Sequence, residues 1–273
     1  MALHQASVRG GTLYKQLKMS FGYDPRSIKR SSDTKVIIAK FMLAEGEERQ
    51  IKLINVYKGV PISHEGTVVK VINDRITIKF HVGQSLLLNL EGQTYILSKL
   101  FPKPIKAAVM TINTNDQIAI LTNFSFSDPD FRKREHIRVE LDYDDAPTVV
   151  IGASDSNVRL FGKLNDISLY GVGVVVIALQ DIIKRSFSEN AEVELTFSLP
   201  FKDKGEPLKF NLWGKIRHID RSQENFKLGI QTFPTQKMLP YLQKFISQRQ
   251  AEILEEIENY TQSLNLGNWI FPA

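Results

Sequence analysis

The chain has 273 residues, 42% hydrophobic and 24% charged, the balance of an ordinary folded protein with room for two modest domains. No run approaches the ~18–20 apolar residues that a membrane-crossing helix needs, and the N-terminus carries no secretory h-region. The absence of cysteine excludes disulfides, thiolate catalysis and cysteine zinc sites. The expected location is the cytoplasm, with any association with the inner face of the membrane made through a partner.

The net charge is +5, and residues 1–35 carry all of the excess. They hold seven bases (Arg9, Lys15, Lys18, Arg26, Lys29, Arg30, Lys35) against two acids (Asp24, Asp33). Residues 1–34 therefore read as a basic, solvated arm, and the balanced remainder argues against a nucleic-acid binder. The sharper reading is a docking segment for an acidic partner or membrane surface. In it, LYKQLKMSFGY (13–23) would form a short amphipathic helix on contact.

Residues 35–123 read as an N-terminal β-barrel domain. The stretches VIIAKFML, GTVVKVI, RITIKFH, QTYILSK and QIAILTNF are rich in β-branched and aromatic residues and are separated by turn signals such as Asn73-Asp74 and Glu91-Gly92. Ser, Asp and Pro then break the pattern, and residues 124–136 read as a linker that turns basic at its end.

A second β-barrel domain is expected over residues 137–235, with strands IRVEL, VRLFGKL, VGVVV, AEVELTFSL, LKFNLWGKIRHI and FKLGIQTF and a short helix at ALQDIIKRSF. Residues 236–273 close the chain with a helix, about 237–264, and a tail. Leu239, Leu242, Ile246, Ile253, Ile257, Tyr260 and Leu264 recur at spacings of three, four and seven. Arg249 falls in that seam, which weakens a coiled coil and favours packing on the chain's own barrel, with self-association as the second reading. The fold class is thus mainly β, two small antiparallel barrels in tandem with a C-terminal α-helix.

Two motifs carry chemistry. RKREHIR (132–138) contains R-x-x-x-R at Arg134 and Arg138, and NDISLYGVG (165–173) contains D-x-S-x-x-G at Asp166, Ser168 and Gly171. At average residue usage the first pattern is expected about once by chance in such a chain, and the second ~0.1 times. Only the two together, in this order and ahead of a strand pattern, are informative. The bland alternative is a basic linker followed by a Ser turn.

In this order and context the motifs resemble the signature of the PilZ domain, the bacterial receptor module for cyclic di-GMP. The resemblance covers about residues 130–235. It extends to a final hairpin with Gly214 in LWGKIRHID and Gly229, Ile230 and Phe233 in KLGIQTF. An N-terminal β domain joined through the arginine linker resembles the two-domain flagellar-brake group, a weaker and purely architectural likeness.

The resemblance implies that Arg134 and Arg138 clasp the ligand while Asp166, Ser168 and Gly171 line the barrel face, with Arg132 and Lys133 as additional contacts. The residue types suit such a ligand. Guanidinium offers a planar donor fork to phosphate or to guanine O6 and N7. A carboxylate accepts from guanine N1–H and N2–H, and Ser168 supplies a small hydroxyl. Gly171 allows close backbone approach or a left-handed turn. No position departs from the core motif, which favours a binding-competent member.

The five histidines show no metal spacing, and Asp142, Asp144 and Asp145 lack the EF-hand pattern. There is no Walker loop, nucleophile elbow or Rossmann fingerprint, so no catalytic residue and no cofactor are expected. The expected function is a non-enzymatic cyclic di-GMP effector. Ligand binding reorients its two domains and regulates a partner such as a flagellar motor, secretion or polysaccharide machine. The alternative is a ligand-independent PilZ-like adaptor.

Overall fold

The computed structural model describes residues 31–154, 158–176, 187–203, 205–221 and 225–265. The basic arm and the helix expected at 178–187 lie largely or wholly outside these residues. The described chain divides into two units. One takes residues 31–57, 61–133 and 254–265, and the other takes Lys58–Val60 and Arg134–Ile253.

The first unit begins with a correction. VIIAKFML, expected as a strand, lies in helix α1 (Ser31–Leu43). Ile37, Ile38, Phe41 and Ala44 are buried while Val36, Met42 and Leu43 are exposed, a helical rather than a two-residue period. Asp33 sits in the first turn, where it favours the helix dipole. The β-branched preference of the stretch yields to the burial of this one face.

Helix α1 covers a closed antiparallel barrel. Its strands are β1 (Gln50–Tyr57), β2 (Val60–Ile72), β3 (Arg75–Phe80), β4 (Gln93–Ser98), β5 (Ile105–Asn113) and β6 (Ile118–Phe126), in the order β1-β2-β3-β6-β5-β4 with β4 closing on β1. Phe41 and Ile37 join Leu53, Ile76, Ile78, Ile96, Leu121 and Phe124 in one apolar core. A short helix α2 (Ser85–Glu91) ends at Gly92, whose φ of 60° makes it the left-handed C-cap. Phe124, at the start of the stretch read as linker, belongs to this core.

The second unit is also a closed antiparallel barrel. It contains β8 (Thr148–Ala153), β9 (Arg159–Ser168), β10 (Gly171–Val176), β11 (Glu192–Leu199), β12 (Leu208–Arg221) and β13 (Phe226–Thr232). The order β10-β13-β12-β11-β8-β9 closes through a β9–β10 pairing. Strand β7 (Val139–Glu140) pairs on β9 and is all that forms of the expected IRVEL strand. Alternation sorts the faces: along β13, Phe226, Leu228 and Ile230 are buried, while Lys227 points out.

Helix α3 (Leu239–Asn265) follows, and its residues up to Ile253 pack on this barrel. Phe245 meets Phe201 edge-on at 6.1 Å between ring centres. Arg249 is buried in the seam because it is partnered. Its Nη2 donates to Asp142 Oδ2 at 2.7 Å, its Nε to the Glu140 carbonyl at 3.2 Å, and its Nη1 to Glu252 Oε2 at 3.2 Å.

Candidate functional site

The D-x-S-x-x-G motif folds as one hairpin. Asp166 and Ser168 end β9, Leu169 and Tyr170 form the turn, and Gly171 opens β10. Ser168 pairs with Gly171, and its hydroxyl donates to the Gly171 carbonyl at 3.1 Å. Gly171 is not left-handed, so the turn alternative for this glycine is corrected. What a side chain there would meet is the Ile230 carbonyl and Ser168 Oγ, each 3.3 Å from a Cβ.

Asp166 is almost fully buried, although its neighbours Leu164 and Ile167 take the inward positions. The β9–β10 register slips by one residue between Asp166 and Leu164, leaving Asn165 as a bulge. That bulge lets Asn165 Nδ2 donate to Asp166 Oδ2 at 2.9 Å. Asp166 stands directly opposite Gly173, and a Cβ on Gly173 would lie 2.2 Å from Asp166 Oδ2. The carboxylate therefore lies over the glycine, in the space where a side chain would stand.

The arginine segment is irregular, so Arg134 and Arg138 do not share a helix face. Arg138 precedes β7, and its Nε lies 3.3 Å from Asp166 Oδ1. The pair is within ion-pair distance, yet the N–H is not aimed at the oxygen, and neither buried atom has a hydrogen-bond partner. Arg134 is exposed. His136, between the arginines, stacks obliquely on Tyr170 of the hairpin turn at 4.9 Å, tying the segment to the motif.

Glu140 of β7 lies in register with Asp166. Burial pushes its carboxyl up and the Asp166 charge adds to that, while Lys227, Arg134 and Lys58 act the other way. Two carboxylates so placed hold together only among cations. Lys227 supplies one, its Nζ 3.7 Å from Asp166 Oδ2. Lys58 Nζ lies 2.7 Å from Asp142 Oδ1, and burial of the Asp142 carboxyl is outweighed by Lys58 and Arg249, which hold it below the usual range. Within the same unit, Gly59 has φ 81° and a Cβ there would lie 2.2 Å from the Arg138 carbonyl oxygen, so only glycine fits.

Of the residues singled out in the sequence, Arg138 and Asp166 meet directly and Ser168 and Gly171 adjoin them through one hairpin. Arg134 is linked to them electrostatically, through Glu140. Arg132 and Lys133 are exposed and belong to the first unit. Sequence reasoning missed Gly173, Lys227 and Glu140 and gave His136 no role. The second glycine of GVG was the one visible signal among these. Among the described residues no group of three or more His, Cys, Asp or Glu is placed to hold a metal ion, and no helix is long and apolar enough to cross a membrane.

No protein-family model and no curated protein matches the chain. Solved structures do, at low identity. YcgR from Escherichia coli in complex with cyclic di-GMP is 14% identical, with 87% of this chain and 99% of that one covered and a TM-score of 0.39. The PilZ domain of YcgR with cyclic di-GMP is 15% identical over 46% of this chain and 98% of that one, with a TM-score of 0.37. The Klebsiella pneumonia MrkH–cyclic di-GMP complex is 13% identical over 84% and 98%, with a TM-score of 0.39.

Proposed function

We propose that this chain is a non-enzymatic cyclic di-GMP receptor of PilZ type. One observation carries the reading: a buried carboxylate and a guanidinium face each other at 3.3 Å with neither atom hydrogen-bonded. A buried polar atom left in that state costs about 1–3 kcal/mol, which a ligand with matching donors and acceptors recovers. Guanine does match. Its N1–H and N2–H suit Asp166, and its O6 and N7 or a phosphodiester suit the Arg138 fork. Arg134, exposed on the same segment, takes a second phosphate or stacks on a base. Ser168 keeps its lone pairs for the ligand while it donates to the Gly171 carbonyl.

In this reading Arg132 and Lys133 extend the clasp, and residues 124–136 are the joint that ligand binding draws onto the barrel over residues 137–235. The resulting change in domain orientation engages or releases a protein partner in motility, secretion or polysaccharide export, and the site of action is the cytoplasm. Asp166→Asn tests the site at constant shape. It should weaken cyclic di-GMP binding about 10–100-fold with little change in melting temperature, because a charged hydrogen bond is worth about 1.5–3 kcal/mol. Unchanged affinity in a calorimetric titration would remove Asp166 from the site.

A further inference from the structure

The topology brings a second cation to Asp166 from an unexpected direction. Lys227 lies on β13 and Asp166 on β9, with β10 between them. Strands two apart in a sheet are separated by ~10 Å, and an intervening side chain normally blocks a bridge between them. Here the residue opposite Asp166 is Gly173, which in turn pairs with Gly229 on β13. Lys227 stands two residues along β13 from Gly229, opposite Val175, and the two side-chain-free positions leave it a diagonal path, so its ammonium comes within 3.7 Å of Asp166 Oδ2.

This lysine is not needed to satisfy that oxygen. Asp166 Oδ2 already accepts from Asn165 at 2.9 Å, and 3.7 Å is beyond hydrogen-bond range. The lysine side chain is 46% exposed, against 3% for the carboxylate it faces. It is a half-solvated ammonium poised at one carboxylate oxygen while Arg138 faces the other. A dinucleotide with two phosphodiesters brings two negative charges to this place, and the arginine segment approaches only the Oδ1 side.

We infer that Lys227 is a further ligand-binding residue, whose ammonium meets a phosphodiester at the Asp166 Oδ2 side, and that Gly173 is the opening through which it reaches the site. The inference rests on the cyclic di-GMP reading and adds to it a residue from a strand that neither motif contains. A counterion-only role makes a different prediction. In that case the lysine acts through the Asp166 and Glu140 carboxylates alone, and its loss changes nothing once both charges are gone.

The test titrates cyclic di-GMP into the full chain carrying Lys227→Met, Lys227→Arg, Asp166→Asn/Glu140→Gln, and Asp166→Asn/Glu140→Gln with Lys227→Met, each with a melting curve. Direct contact predicts about tenfold or more loss for Lys227→Met, near-native affinity for Lys227→Arg, and a further loss when Lys227→Met is added to Asp166→Asn/Glu140→Gln. Should Lys227→Met fail to fold, Lys227→Gln carries the same comparison. Tight binding by wild type with no loss in Lys227→Met, or no further loss in the triple variant, overturns the inference and leaves the receptor reading standing. Failure of the wild type to bind overturns both.

Discussion

The two barrels share strand number and closure but bury different polar chemistry. In the first, the fully buried polar side chains are neutral amides and hydroxyls, gathered around Asn55, although Gln84 Oε1 and Ser85 Oγ have no hydrogen-bond partner. Asn55 Oδ1 accepts from Gln84 Nε2 and from Thr94 Oγ1, both at 2.7 Å, and its Nδ2 donates to the Gln93 carbonyl at 2.7 Å. In the second, the buried polar group on the outer face is a carboxylate, flanked by half-exposed cations from two separate segments and left partly unsatisfied. A neutral amide network out of reach of solvent specifies a core. An open, charged arrangement with partners reachable from solvent is what a ligand can complete.

If the first barrel is scaffold, its perturbation should cost stability and spare binding. The largest effect is expected from Phe41→Ala, which removes the fully buried ring that α1 presents to the barrel core and should cost about 3–5 kcal/mol. Chemical denaturation reads the loss, and cyclic di-GMP affinity at low denaturant should stay within about twofold. A matching fall in affinity would break the division of labour.

Asn55→Ala comes next. It removes the acceptor of Gln84 Nε2, the nearest partner of Thr94 Oγ1 and a donor to the Gln93 carbonyl, and should cost about 2 kcal/mol or more. Substitution without loss of stability would show the network to be dispensable.

A pH dependence completes the comparison. Burial raises the Glu91 carboxyl from 4.5 to about 7, although Asn55, the Val56 N–H and Lys106 pull it down. A carboxyl raised in the folded state holds its proton more tightly there than in the unfolded chain. Its stabilising contribution is therefore present below about pH 4.5 and is lost as pH rises through about 7. Glu91→Gln should flatten that part of the stability profile, as pH-resolved melting would show. An unchanged slope would contradict it.

Much of the second barrel and its hairpin motif was legible because outward and inward residues alternate and because the two motifs pair rare residue types with turn chemistry. The strand misread at residues 36–43 was ambiguous for a physical reason. Its apolar residues fit either period, and only the burial of Ile37, Ile38, Phe41 and Ala44 against β strands far along the chain decides for helix. Arg249 looked like a flaw in the helical seam because its partners, Asp142 and the Glu140 carbonyl, are distant in sequence. Lys227 gave no signal at all. It acquires meaning only when β10 places Gly173 between it and Asp166. The left-handed reading of Gly171 failed because the hairpin closes on the Ser168–Gly171 pair in extended backbone.

The central claim is that the arginine segment and the hairpin motif form one receptor site. Isothermal titration of cyclic di-GMP into the wild-type chain and into Arg134→Ala/Arg138→Ala tests it most directly. The account predicts saturable binding by the wild type and a loss of about 100-fold or more in the double variant, at the scale of two charged hydrogen bonds. Equal binding by the two proteins, or no binding by the wild type, would contradict it.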